Sequence, residues 1–340
     1  MIHLRIVAPP DSAAAVLAML DHLDVVTDIV HLPKSVSKPV GDLIMCHVPR
    51  ESGSEVVDAL RTLGIDQHGS IALSDVVAVV SPLADAASDR AAGTGSDAVI
   101  WQAVQAGAEE QALLSTTYLA FIVIAGLLAT IGLLTDSLVL IIGAMVVGPE
   151  FGPLSALCVA LLGKNWQLAG RALVILVLGF AVAIALAFVA VEILQLIELA
   201  PRHWDVRTHP MTAFVAKPDA YAGIVAALAG IAGMLSVTTS HSGVLVGVFI
   251  SVTTIPAAGN IALAAAYGDY VAMRGAAYQL GINVGVLVVA GVLTVLVQRN
   301  RYMRRFQAAV ARVPTILVGH RRGESVHATR LARLQRQQVH

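Results

Sequence analysis

The chain has 340 residues, of which 57% are hydrophobic and only 13% charged, and its formal net charge is -1. That charged share is about half of what soluble domains carry, which excludes an ordinary soluble protein. The near-zero net charge hides an asymmetry: residues 1–90 carry twelve acids and six bases, whereas residues 299–340 carry ten arginines and one acid, Glu324.

The N-terminal stretch reads as a small α+β domain over residues 1–82. Ile2–Val7 fits a strand, and Asp11 or Ser12 fits the cap of a helix that runs to about His22. Val25–His31 and Val40–Val48 fit two further strands, separated by Pro33 to Pro39. A second helix starts at Ser54, or at Glu51 near Pro49, and stops at Gly64; Ile65–Leu73 fits a fourth strand. The order β-α-β-β-α-β predicts a ferredoxin-like split. Its histidines are scattered. His3 and His47 can meet on neighbouring strands, but two imidazoles without a third ligand do not make a metal site. No glycine-rich phosphate loop is present, so no cofactor is expected. Cys46 and Cys158 read as small buried hydrophobes.

Residues 83–116 read as a linker, flexible over 83–96, followed by an amphipathic helix over Ser96–Gln111 that lies outside the hydrocarbon. The opening residues are expected to form a strand and not a secretory leader, so the first span is expected to serve as an internal insertion signal. Six spans are then expected within 117–298: 117–134, 137–162, 169–195, 220–237, 243–266 and 275–298. Each is long enough for about 30 Å of hydrocarbon. Between Asp219 and Asp269 there is no charged residue at all. Lys164 and Arg171 after span 2, and Arg299, Arg301, Arg304 and Arg305 after span 6, place both termini inside, although Arg202, Arg207, Lys217 and Arg274 pull the other way. The tail, 299–340, is expected to be cytoplasmic and to meet anionic lipids of the inner leaflet, with no nucleic acid as partner.

The most informative run is Gly143–Pro153. Pro149 and Pro153 each remove a helix donor, and Gly148 and Gly152 stand beside them. A broken helix is expected there, with Glu150 at the break. A carboxylate at membrane depth is a functional candidate. Span 5 holds a counterpart in Gly247, Ser251, Thr253, Thr254, Pro256 and Asn260. Two broken helices would make spans 1–3 and 4–6 an inverted 3+3 repeat, with a transport site at the breaks. Asn283 in span 6 joins this set. The same Ser, Thr and Asn residues also serve simply to bond their own helix or to hold helices together.

These runs carry a resemblance. Gly143–Pro153 resembles the Gly-x-Met-x-x-x-Pro-x-x-Gly-Pro element of the DUF389 family of hydrophobic membrane proteins. Gly230–Gly233, Gly247–Pro256 and Asn283 resemble that family's second block. The family often has a proline pair in that block where this chain has Pro256 and Ala257, and an apolar or small residue where this chain has Glu150. The resemblance implies a membrane fold and location, and no chemistry.

The sequence therefore predicts a polytopic helical membrane protein with a ferredoxin-like head in the cytoplasmic membrane. It is expected to be a homo-oligomer and not an enzyme. The leading expectation is a transporter or channel for a small solute or ion, with gating candidates Gly148, Pro149, Glu150, Gly152, Pro153, Thr253, Thr254, Pro256, Asn260 and Asn283. The alternative is a membrane-anchored sensor or scaffold regulated by the head.

Overall fold

Strand β1, Ile2–Ala8, opens the chain in the computed structural model, which describes residues 1–91, 99–204, 220–239 and 244–310, with the backbone alone at 220, 244–250, 252–253 and 301–310. Helix α1 (Pro10–Asp21), strands β2 (Thr27–Ser37) and β3 (Val40–Val48), helices α2 (Arg50–Thr62) and α3 (Ile65–His68) and strand β4 (Ser70–Asp75) follow. The sheet has the order β2-β3-β1-β4, and every pair is antiparallel. Period-two alternation sends Ile2, Leu4 and Ile6 of β1 to the same face as Val48, Cys46 and Ile44 of β3, their register partners. Val16 and Leu20 of α1 and Val56, Val57 and Leu60 of α2 close that face into one core.

The structure corrects several details of the head. Neither Asp11 nor Ser12 caps α1, and Ser54 does not open α2. Both helices start directly behind a proline, Pro9 or Pro49, with no side-chain cap, because proline's fixed φ suits a helix entry. Strand β2 runs through Pro33, which an edge strand tolerates. The first half of the expected fourth strand is α3, since Gly64 takes φ 75° and turns the chain before Ile65. Asp42, at the end of β3, accepts 2.8 Å hydrogen bonds from the Lys34 backbone N–H and the His31 ring. The Lys34 N–H, with His31 beside it, holds the Asp42 carboxyl below its ordinary value. Burial pushes the Cys46 thiol up to about 12.

The expected linker is partly helical. Helix α4, Pro82–Arg90, is capped by Ser81 and buries Ala84 and Ala87; residues 92–98 lie outside the described residues. Helix α5, Trp101–Gln111, then lies between the head and the apolar helices. Ser54 of α2 donates to the Val99 carbonyl at 3.2 Å and accepts from the Trp101 N–H at 3.2 Å, and Gln102 donates to Asp58 at 2.8 Å. On the other side, Val104, Ala108 and Ala112 pack into a cluster with Ala156 and Ala160.

The apolar helices are α6 (Thr116–Leu134), α7 (Leu138–Val147), α8 (Phe151–Leu162), α9 (Trp166–Leu196), α10 (Ala220–Thr238), α11 (Val244–Ala266) and α12 (Tyr270–Val310). Ser115, Ser137 and Asn165 cap α6, α7 and α9. Four helices are long and apolar enough to cross a membrane, and α7 with α8, bent by 50° at their junction, are apolar enough together to form either one broken span or a re-entrant loop. These helices are those of a multi-pass membrane protein. Six spans were expected; the remaining one, over 243–266, coincides with α11, in which the described apolar stretch is Thr254–Ala266. Met1–Val297 form one compact unit, to which the described residues from Gln298 to Val310 do not belong.

Only one break exists among the described helices. Helix α11 continues through Pro256, contrary to the expectation of a second broken span. One proline removes one hydrogen bond and a helix can absorb that. Two prolines four residues apart, each beside a glycine, remove support from successive turns. The paired breaks that suggested an inverted repeat are therefore absent among the described residues.

Candidate functional site

The break is built by Gly148, Pro149, Glu150, Gly152 and Pro153. Gly148 ends α7 in an extended conformation, φ -61° and ψ 123°, because the ring of Pro149 disfavours a helical residue before it. Pro153 falls in the first turn of α8, where its missing N–H has no intrahelical partner to lose. Glu150 stands at the N-cap of α8 but makes no capping bond with its side chain. The carboxylate instead crosses to α11. Its Oε1 accepts from Ser251 Oγ at 2.5 Å and from Thr254 Oγ1 at 2.9 Å. Ser251 and Thr254 lie three apart, on one helix face.

The other carboxylate oxygen, Oε2, has no hydrogen-bond partner among the described residues. It lies against Gly148, where an added Cβ would come within 2.5 Å of Oε2 and 3.0 Å of Ile255 Cγ1. Glu150 is 0% exposed, and no ion pair reaches it among the described residues. Ile255, which lies beside Gly148, belongs to one buried apolar cluster with Ile122 and Ala125 of α6, Ala144 of α7, Leu154 of α8 and Ala258 of α11. Tyr118 of α6, whose hydroxyl donates to the Ile175 carbonyl at 3.4 Å, is within electrostatic reach of Glu150. The N-terminus of α8 adds a partial positive charge at the carboxylate.

One turn into α8, Ser155 Oγ donates to the Gln111 side chain of α5 and to the Gly152 carbonyl, each at 2.8 Å. The end of α5 is thus fastened to the arm of the break.

The structure brings Gly148, Glu150 and Thr254 together and adds Ser251. Pro149, Gly152 and Pro153 shape the turn. Thr253 lies in α11 with its side chain outside the described residues. Pro256 sits in an intact helix. Asn260 is 1% exposed, and neither atom of its amide finds a hydrogen bond among the described residues; it makes no bond to Glu150. Asn283 and Gln279 are buried on α12. Thr238 and Thr239 bond back to the Met234 and Leu235 carbonyls, as helix-end threonines do, and Ser240 and His241 lie outside the described residues. His3 and His47 do face each other, ring centroids 5.2 Å apart, and His47 bonds Asp28 at 3.1 Å. No group of residues suited to hold a metal occurs among the described residues.

Sequence reasoning singled out Glu150, named Ser251 in the span 5 run without placing it among the gating candidates, and left Tyr118, Ser155 and Gln111 outside the site. The signal for Ser251 was its position three before Thr254; choosing that face required knowing how α11 is rotated.

Comparison with known proteins now bears on this geometry. Residues 145–289 match the family model described as "Domain of unknown function (DUF389)". The break, Glu150, Ser251, Thr254 and Asn283 all fall within that match. The chain is 28% identical over 149 residues to "Uncharacterized protein MJ0678" of Methanocaldococcus jannaschii, a stretch that covers 44% of this chain and 44% of that protein. The chain thus matches less than half the length of that relative. No solved structure matches the chain.

Proposed function

We propose that the chain is a transporter or channel for a small solute or ion, not an enzyme, and that Glu150 is the group that handles charge. One observation carries this reading: a carboxylate buried at a helix break, with one oxygen held by two hydroxyls and the other without a partner among the described residues. A carboxylate and two hydroxyl oxygens make a hard oxygen donor set, suited to a proton or an alkali cation. A structural carboxylate at this depth would be paired with a cation of the protein; a carboxylate that takes up and releases its own counter-charge has use for the open oxygen.

This reading treats α11 as a sixth span, both termini as cytoplasmic, the membrane as the plasma membrane and the head as ferredoxin-like. It includes self-association through the small-residue helix faces and contact of the basic tail, 299–340, with anionic lipid.

A second reading is favoured by α5. Its bonds to Ser54 and Asp58 at one end and to Ser155 at the other join the head directly to the broken helix. That path suits a sensor or scaffold in which the head sets the state of the membrane part.

A density map of the protein in a lipid nanodisc separates the two. A water-filled path from either face to Glu150 in one class of particles supports transport. A sealed, dry Glu150 in every class supports the sensor reading instead.

A further inference from the structure

Two adjoining cavities lie where the end of α5 meets the start of α9. The first, of about 570 Å³, is polar: Glu109, Glu110, Asn165, Gln167 and Arg171 line it. The second, of about 390 Å³, is apolar, between Leu114 on one side and Val174, Ile175 and Leu178 on the other. Ala106 and Leu113 belong to the first and Ala112 to the second, but Arg171 lines both. One of its guanidinium nitrogens donates to the Ala112 carbonyl at 3.2 Å, which holds the group at the junction. A guanidinium has five N–H donors, so this one bond leaves most of them for a ligand. Glu109 and Glu110 take part in no ion pair among the described residues.

The level of this junction in the membrane follows from α9. Trp166 opens the helix and is 71% exposed, as an aromatic residue at the lipid headgroup level is. Val174 and Leu178, both exposed, follow Arg171 on the same face, about 4.5 and 10.5 Å further along the helix axis. A polar cavity at headgroup level therefore continues into an apolar groove that runs into the hydrocarbon.

We infer that this junction binds one phospholipid with a phosphoethanolamine headgroup, its phosphate on Arg171, its ammonium on Glu109 and Glu110, and one acyl chain in the groove along Val174 and Leu178. The charge pattern selects the headgroup. A phosphate diester accepts from a guanidinium in paired fashion. A primary ammonium offers three N–H donors to the two carboxylates, whereas choline offers none. An anionic headgroup such as phosphatidylglycerol satisfies Arg171 but leaves its own net charge beside two glutamates. This site is separate from the basic tail, which favours anionic lipid.

The test is native mass spectrometry of the purified full chain, titrated with phosphatidylethanolamine, phosphatidylcholine or phosphatidylglycerol of identical acyl chains. The wild type is expected to hold one phosphatidylethanolamine per chain about tenfold more tightly than either other lipid. Replacing both glutamates, E109Q with E110Q, should erase that preference. Val174→Trp, an exposed position whose new ring fills the groove, should lower retention of all three lipids while the melting temperature stays at the wild-type value. Arg171→Ala should likewise lower retention of all three lipids, with a lower melting temperature as well because it also loses the bond to the Ala112 carbonyl. Equal binding of phosphatidylethanolamine and phosphatidylglycerol by the wild type would overturn the proposal, as would unchanged retention in both the double glutamate variant and Val174→Trp.

Discussion

Gly148 leaves the space that the Glu150 carboxyl fills, and this dependence is testable. Gly148→Ala would set a methyl 2.5 Å from Oε2 and 3.1 Å from Ser251 Oγ, so the carboxyl must move. Thermal unfolding of the detergent-solubilised chain should show a loss of about 1–3 kcal/mol. Thr254→Val keeps the shape of the side chain but removes one of two donors to Oε1, and should destabilise by about 1–3 kcal/mol in the same measurement. In the head, Asp42 acts through its lowered pKa. A group whose folded pKa is depressed stabilises above its unfolded pKa, and the benefit fades as pH falls through the lower folded value. Hydrogen exchange of the β2–β3 amides should therefore be faster in Asp42→Asn than in wild type at neutral pH, and the difference should shrink below about pH 4. Cys46, held up to about 12, should resist maleimide at pH 8 until the head is unfolded. At this scale the sequence was legible where a residue type broke its surroundings: Glu150 in an apolar run is visible without a structure. Of its partners, Thr254 was among the candidates and Ser251 was not, because hydroxyls are common in spans and only the rotation of α11 shows which of them turn toward α8.

Elements were legible in proportion to their length and periodicity. The apolar helices fall within a few residues of the spans read from the sequence, except that α12 runs on to Val310, well past the expected end at 298, whereas α3 displaced half of an expected strand and α4 formed within an expected linker. Both exceptions are short, and short elements are decided by contacts that local pattern does not contain. The two proline-bearing spans differ for a reason that was partly visible: Pro149 and Pro153 act together, Pro256 alone. Pro149→Ala alone should leave the break in place, since the Pro153 ring still clashes with the carbonyl four residues earlier. Replacing both prolines with alanine should let α7 and α8 join and carry Glu150 away from Ser251 and Thr254. Pro256→Ala should change little, because α11 is already continuous there. A density map of each variant checks this by the 50° angle between α7 and α8.

For the whole molecule, membrane insertion was written in the composition, and the relation between head and helices was not. The face of Val104 and Ala108 on α5 could have met lipid or protein; the structure shows it against α8. Through α5 the head reaches Ser155, one turn from the break. The six-span reading places the turn at Thr135–Asp136 and the turn at Lys164 on opposite sides of the membrane. Single cysteines at Asp136 and Lys164, in a chain lacking Cys46 and Cys158, should label from opposite faces with an impermeant reagent.

The role proposed for Glu150 is to take up and release charge during transport. It is tested most directly by recording charge movement through the reconstituted protein on a supported membrane after a jump in proton or sodium concentration. The wild type should give a transient current, and Glu150→Gln, which keeps the shape and removes the charge, should give none. Equal currents from both proteins, or no current from the wild type, would rule that role out.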